Sequence, residues 1–239
     1  AELAAFMRER PRAGVASGKV LRYDLATRTA TGVIDTAGIA MRRNRGAFDR
    51  GEGRADRSQF DTAEEVFAVS GAALFAAREA LDDVRCRGEY LHERLFMYKD
   101  DIDLGWRMRL RGWECWYVPA AVAYHARTSR GLAGRRYRGA IRAYLRNQRR
   151  KPRSIRLHSM KNQWIVLLRN ETAGGFLRAA PWIAGREGLV LGANLVTSPR
   201  MTAEALLAFA RALPAAWRTR RTSQRRPLAD GREIGRLMR

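Results

Sequence analysis

Cysteine and long apolar runs are both scarce in this sequence of 239 residues. Its two cysteines, Cys86 and Cys115, stand far apart, so neither a disulfide framework nor a structural zinc site is expected, and a reducing compartment fits. An uninterrupted stretch near the roughly 20 apolar residues that cross a bilayer is also missing. The longest candidate, residues 176–196, is interrupted by three charged side chains. Because 46% of the residues are hydrophobic, the chain is expected to fold around a substantial core.

Lysine is rare beside arginine, and acidic residues are rare after residue 126. The whole chain has 46 basic and 24 acidic side chains, giving a formal charge of +22. Residues 1–126 hold 20 basic and 19 acidic side chains, whereas residues 127–239 hold 26 basic and 5 acidic ones. The imbalance predicts a functional boundary near Arg127 and an anionic partner for the second part.

Periodicity and turn residues predict alternating helices and strands in the first part. The pattern predicts helices over residues 1–10, 76–84 and 102–111, strands over 14–22, 65–70 and 113–119, and a long polar loop over 41–61. Gly112 is expected to end the third helix in a left-handed conformation, and Pro119 to stop the last strand. Alternation of this kind indicates an α/β domain.

The second part has a helical pattern. Helices are predicted over residues 137–149, 160–169 and 203–217, the last broken by Pro214, and residues 218–226 are expected to form a basic tail. Arginine on one face with large apolar side chains on the other is typical of a helix on an anionic membrane surface. The alternative is a helical cap that packs on the α/β domain. The predicted divisions are therefore 1–126, 127–217 and 218–239.

Three carboxylates, Asp100, Asp101 and Asp103, stand where the third helix is expected to begin. A carboxylate in the first turn of a helix faces the positive end of the macrodipole, stays ionised and can accept a proton. From the residues alone, the alternative is that all three only cap the helix. Asp103 precedes Arg107 by four positions, so an intrahelical ion pair is expected for it.

Six short segments resemble, in the same order, motifs of the family 2 glycosyltransferases with a GT-A fold, specifically their rhamnosyltransferase-like branch. The matching segments are Val69–Ala73, Leu95–Tyr98, Asp100–Asp101, Arg111–Trp113, Tyr117–Pro119 and Tyr124–His125. The resemblance extends over residues 1–170. It implies an α/β fold, namely a partial GT-A domain on the acceptor side, followed by basic amphipathic helices.

The same resemblance implies roles for the site residues. Asp101 matches the family's catalytic base, and Asp100 matches its neighbour, which orients the acceptor or the loop. Ser70, Gly71 and Ala72 match a small-residue loop that lets a sugar approach the backbone; a simple buried turn is the alternative. Trp113 is a candidate to stack on the acceptor sugar, with a core position as the other interpretation.

His125 matches a histidine that, in related proteins, completes the coordination of a divalent cation, Mn²⁺ or Mg²⁺. Imidazole together with carboxylates is suitable chemistry for such an ion. A lone histidine after a strand is also commonly structural. The resemblance thus implies a metal-dependent enzyme with His125 as a ligand.

The family's nucleotide-binding half, with its Asp-x-Asp motif, has no match here, and no glycine-rich phosphate loop follows a strand. A partial sequence is therefore expected, and the isolated chain is expected not to transfer sugar. By resemblance, the donor is a nucleotide-sugar such as dTDP-rhamnose. The acceptor is a surface glycan or a lipid-linked glycan at the cytoplasmic face of the membrane.

Two other classes of function stay open from the sequence. One is nucleic-acid binding, suggested by the basic second part, although no helix-turn-helix, zinc, RRM or KH pattern is present and this partner is disfavoured. The other is a non-catalytic membrane scaffold in which the acidic cluster is purely structural.

Overall fold

The computed structural model describes residues 1–126, 151–224, 229 and 231–238. The predicted helix over 137–149 lies outside these residues. The described strands are β1 (Ala13–Asp24), β2 (Thr29–Thr36), β3 (Ile39–Met41), β4 (Ala47–Asp49), β5 (Glu64–Glu65), β6 (Leu74–Ala76) and β7 (Glu114–His125). The described α-helices are α1 (Glu2–Arg8), α2 (Arg78–Val84), α3 (Asp100–Leu110), α4 (Arg153–Asn170), α5 (Ala173–Thr197), α6 (Pro199–Ser223) and α7 (Gly231–Arg236).

The first part is built on a mixed sheet in the order β2-β1-β7-β5, with β6 also paired to β1. The two long strands, β1 and β7, run parallel, whereas β2, β5 and β6 are antiparallel to their neighbours. Strands β3 and β4 form a separate two-stranded sheet. The predicted α/β class is confirmed.

Strand β7 continues through Pro119, so the expectation that this proline stops the strand is wrong. The pairing with β1 slips there: Gly18 pairs with Val118, whereas the next residue, Lys19, pairs with Val122. The residues of β7 between these two partners form a bulge. A proline is tolerated at a bulge because a bulged residue does not have to donate a backbone hydrogen bond to the neighbouring strand. At this bulge a Cβ atom on Gly18 would lie 2.1 Å from the carbonyl oxygen of Ala121.

The predicted loop over 41–61 is more ordered than expected. It contains β4, and Ala55 forms an isolated bridge with Val33. Gly51 and Gly53 have φ values of +75° and +74°, so these turns need residues without a Cβ atom. The predicted strand over 65–70 is shorter than expected, since regular strand pairing stops at Glu65. The buried segment after it forms an isolated bridge, between Ala68 and Ile39.

Helix α3 lies between the sheet and the C-terminal helices. Its buried side chains on one side, Leu104 and Met108, join a core with strand residues. Trp106 and Leu110 join a second core that includes Ile165 of α4. Gly112 follows with a φ of +82°, which confirms the predicted left-handed end.

The C-terminal helices pack mainly through α4 and α6, with α4 against α3. Helix α6 runs through Pro214 to Ser223, so the predicted break is wrong and the basic segment starts inside the helix. Arg220 donates to the carbonyl oxygens of Leu168 and Glu171 at the end of α4, which satisfies groups a helix terminus leaves open. No helix in the described part of the chain is both long and apolar enough to cross a membrane.

A buried carboxylate joins α3 to α4. Asp103 accepts hydrogen bonds from Arg107 Nε (3.0 Å) and Asn170 Nδ2 (2.8 Å), and Arg169 Nη1 lies 3.3 Å away. The predicted pair with Arg107 is confirmed. Burial alone would raise the pKa of Asp103, but the charges of Arg169 and Arg107 outweigh it and hold the pKa below its usual range.

The close contact of α3 with the buried segment that follows β5 gives a stability prediction. A Cβ atom on Gly105 would lie 2.4 Å from Ala68 Cβ, so Gly105→Ala should destabilise the protein by about 1–3 kcal/mol through overpacking. At Gly188, in the middle of α5, an added Cβ meets nothing within 4 Å, so Gly188→Ala should be neutral or stabilising by up to about 1 kcal/mol. Denaturant unfolding of both variants tests the packing, and equal effects would contradict it.

Candidate active site

The turn that precedes α3 has an unusual backbone. Phe96, Tyr98 and Lys99 have φ values of +62°, +65° and +70°. Residues other than glycine rarely adopt a positive φ. Such a backbone conformation costs on the order of 1–3 kcal/mol per residue, and strained residues of this kind cluster at functional sites. Lys99 is the N-cap residue of α3, so this strained turn sets the position of Asp100 and Asp101.

Asp101 lies in the first turn of α3, partly buried. Its Oδ1 accepts a hydrogen bond from the backbone N–H of Ile102 (2.8 Å), and its Oδ2 lies 3.5 Å from the N–H of Gly71. Burial, together with the negative charges of Asp100 and Asp49, raises the pKa of Asp101 to about 6, although the two backbone hydrogen bonds act to lower it. A carboxylate with this pKa is a base at neutral pH and binds a proton more readily than an ordinary aspartate.

The predicted small-residue loop lies directly against this carboxylate. Gly71 to Ala73 form a single 3₁₀ turn, and Ser70 caps it, its Oγ accepting a hydrogen bond from the N–H of Ala72 (3.4 Å). Gly71 and Ala72 are exposed, so the backbone beside Asp101 is open to a ligand. The structure therefore brings together the predicted loop and the predicted acidic pair.

Lys99 adds a titratable amine to the acidic site. Burial lowers the pKa of Lys99 to about 7, helped by the positive charge of Arg186, while the negative charges of Glu187 and Asp101 oppose the change. Arg186 and Glu187 belong to α5, and Glu187 accepts a hydrogen bond from Trp164 Nε1 (2.8 Å). The basic C-terminal part thus contributes to the electrostatics of the site.

His125 is placed with a different partner. Its Nδ1 lies 2.9 Å from Oδ2 of the buried Asp35, and Arg22 Nε lies 3.5 Å from the other oxygen of Asp35. A carboxylate on Nδ1 is a common arrangement for a histidine that ligates a metal through Nε2. Within the described ranges, however, no three His, Cys, Asp or Glu side chains are grouped to hold an ion. These residues by themselves therefore do not make a metal site, and metal binding at His125 stays a prediction.

Trp113 lies away from the acidic pair. It follows the C-terminal end of α3, a helix roughly 16 Å long, whereas Asp101 is at the other end. Its Nε1 donates to Asp83 Oδ2 (2.9 Å), and its ring packs on the core beneath the sheet. The structure thus gives Trp113 a packing role and does not bring it to the predicted acceptor loop.

Sequence reasoning missed two charged members of the site. Asp49 falls in the stretch 41–61 that the sequence pattern predicts to be a loop, but it is the last residue of β4 and its charge acts on Asp101. Lys99 stands next to the acidic pair in the sequence, and this adjacency is the signal by which it could have been identified as a member of the site. Its left-handed backbone could not be read from the residue type, since lysine has no preference for that conformation.

The arrangement has the parts of a site for proton abstraction. It combines a carboxylate of raised pKa, an exposed glycine backbone beside it and, within electrostatic reach, an amine that is partly protonated at neutral pH. A hydroxyl group on a ligand resting on the Gly71 loop could lose its proton to Asp101.

The sequence also matches a known protein family. The model of the glycosyltransferase like family 2 matches residues 13–151, more than half of the chain. The match includes the sheet, the loop of Ser70 to Ala73 and all of α3. No curated protein matches the sequence. On the family match, this chain belongs to the family 2 glycosyltransferases.

Proposed function

We propose that the protein is an inverting glycosyltransferase in which Asp101 is the general base. The observation that carries the proposal is the partly buried Asp101 carboxylate, with a pKa of about 6, beside the exposed Gly71 backbone. The acceptor hydroxyl oxygen attacks the anomeric carbon of the donor sugar while its proton passes to Asp101. The bond from that carbon to the nucleoside diphosphate breaks, and the diphosphate leaves with the bonding electrons.

The neighbouring residues have supporting roles in this proposal. Burial has the largest effect on the raised pKa of Asp101, and the charges of Asp100 and Asp49 add to it, which makes Asp101 a stronger proton acceptor. Ser70, Gly71 and Ala72 hold the acceptor close to the backbone. A divalent cation, Mn²⁺ or Mg²⁺, would neutralise the leaving diphosphate, and His125 is the residue proposed to contact it.

The donor is proposed to be a nucleotide-sugar such as dTDP-rhamnose, and the acceptor a cell-surface glycan or its lipid-linked precursor. Family membership supports a nucleotide-sugar donor and an acceptor in general. The family match does not favour the alternative of a non-catalytic basic protein that binds membranes or nucleic acid.

We further propose that α5 and α6 rest on the anionic cytoplasmic face of a membrane. Several large apolar side chains of these helices are exposed: Phe176, Leu177, Trp182, Val196, Leu207 and Trp217. Helix α6 also has five arginines against one glutamate. Exposed aromatic and aliphatic groups together with arginine suit the boundary between head groups and acyl chains.

The base assignment predicts a large loss of transfer in Asp101→Asn. Without a proton acceptor, transfer by the full-length protein should fall about 10²- to 10⁴-fold. The variant should stay folded and be at least as stable at pH 7, because a raised pKa means that the ionised carboxylate disfavours folding. Asp24→Asn, at an exposed strand end, is the matched control and should retain transfer. Near wild-type transfer by Asp101→Asn would remove the base from the proposal.

The raised pKa of Asp101 predicts a specific pH dependence. Only the ionised carboxylate accepts a proton, so kcat/KM should fall as the pH drops through about 6. Asp100→Asn removes a negative charge that raises this pKa, so its acid limb should move to lower pH. A pH–rate profile of both proteins measures the effect. An acid limb unchanged by Asp100→Asn would contradict the electrostatic assignment.

The membrane proposal predicts that two exposed residues of α5 matter for lipid binding. Leu177 and Val196 are 75% and 85% exposed. The double change Leu177→Ser and Val196→Ser should weaken binding to phosphatidylglycerol-containing vesicles about ten-fold or more, given the free energy of burying such side chains. Leu25→Ser, at a site 67% exposed on the α/β domain, should leave vesicle binding unchanged. Equal vesicle binding by the wild type, the double variant and the Leu25→Ser control in co-sedimentation would contradict the proposal.

A further inference from the structure

Asn162 of α4 is a fully buried side chain directed at the turn before the acidic pair. Its Nδ2 donates hydrogen bonds to the carbonyl oxygens of Leu95 (2.8 Å), Met97 (2.7 Å) and Tyr98 (2.9 Å). The amide has two N–H donors for three carbonyl oxygens within four residues, so at least one N–H is shared between two of them. The neighbouring Lys161 donates from Nζ to the carbonyl oxygen of Arg94 (2.9 Å) and extends the attachment by one residue.

The three carbonyls belong to the strained part of the backbone. Phe96, Tyr98 and Lys99 have positive φ values, and such a conformation persists when surrounding groups stabilise it. The amide orientation is also determined, because a reversed Asn162 would place Oδ1 against three carbonyl oxygens. Asn162 is therefore the group on α4 that holds this turn in its left-handed form.

The turn leads into α3 without an intervening residue. Lys99 is the N-cap, and its carbonyl oxygen accepts the hydrogen bond from Asp103 N (2.9 Å) that closes the first helical turn. Asp101 lies inside that turn and contacts Gly71. A change in the φ values of the three residues would rotate the start of α3 and move the Asp101 carboxylate from the loop.

We propose that Asn162 is a positioning residue for the reaction: it holds the left-handed turn and thereby fixes Asp101 against the Gly71 loop. This inference rests on the proposed function, in which Asp101 is the base. It gives the basic helical part of the chain a role in positioning the base. A misplacement of about 1 Å at a reacting group can lower a rate by about 10²-fold, so one remote amide is sufficient for a large effect.

The test compares Asn162→Ala with Gln163→Ala in the full-length protein. Gln163 is the next residue of α4, is buried, and donates from Nε2 to the carbonyl oxygen of Arg45 (3.1 Å), which lies outside the turn. Both changes remove a buried amide, so both should lower the melting temperature. The readouts that separate them are kcat, KM and the pKa of the Asp101 carboxyl from ¹³C NMR.

Asn162→Ala should lower kcat about 10-fold or more with a smaller change in KM, and the pKa of Asp101 should fall from about 6 toward its ordinary value near 4. Gln163→Ala should leave both readouts at wild-type values. If folded Asn162→Ala keeps the wild-type kcat and Asp101 pKa, the positioning role is overturned. The NMR readout does not depend on Asp101 being the base, so failure of the proposed function would appear separately, as transfer by Asp101→Asn.

A second variant tests the mechanism of positioning. Phe96→Gly in the Asn162→Ala background places at one strained position a residue that adopts positive φ without steric cost. Partial recovery of kcat and of the Asp101 pKa is expected, and no recovery would contradict the claim that Asn162 acts by holding the left-handed turn. If Asn162→Ala does not fold, Asn162→Ser, which retains one donor, is measured with the same readouts and the same deciding outcomes.

Discussion

The buried carboxylate of Asp103 is the constraint on which the site depends. It is fully inaccessible, accepts hydrogen bonds from Arg107 of its own helix and Asn170 of α4, and forms an ion pair with Arg169 of α4. A charge in such surroundings is tolerated because every part of it faces a cation or a donor, and removing one partner would leave an uncompensated charge. The position of α3 against α4 is thereby fixed, and with it the turn that Asn162 holds.

Two carboxylates in one helical turn consequently have opposite properties. Arg169 and Arg107 hold the pKa of Asp103 below its usual range, whereas burial and two acidic neighbours raise the pKa of Asp101 to about 6. The first is suited to structure and the second to proton transfer. Their spacing of two residues directs them to different sides of α3, one toward α4 and one toward the Gly71 loop.

Some elements could be predicted from the sequence because their signal lies within a few neighbouring residues. Helix α3, its left-handed end at Gly112 and the ion pair of Asp103 with Arg107 all follow from spacing and residue type. The path of β7 through Pro119 could not be predicted, because the bulge depends on Gly18 of a strand about one hundred residues earlier. The contacts of Asn162 with the turn before α3 could not be predicted either, because its partners are backbone carbonyls, which every residue type carries.

The central claim is that Asp101 is a carboxylate made basic by its surroundings and used as the base. The most direct measurement is a ¹³C NMR titration of the Asp101 carboxyl in the folded protein, compared with the pKa that limits transfer on the acid side. A carboxyl that titrates near 6, together with a kinetic pKa of the same value, is the result expected here. A carboxyl that titrates near 4, or a kinetic limit unrelated to it, would contradict the claim.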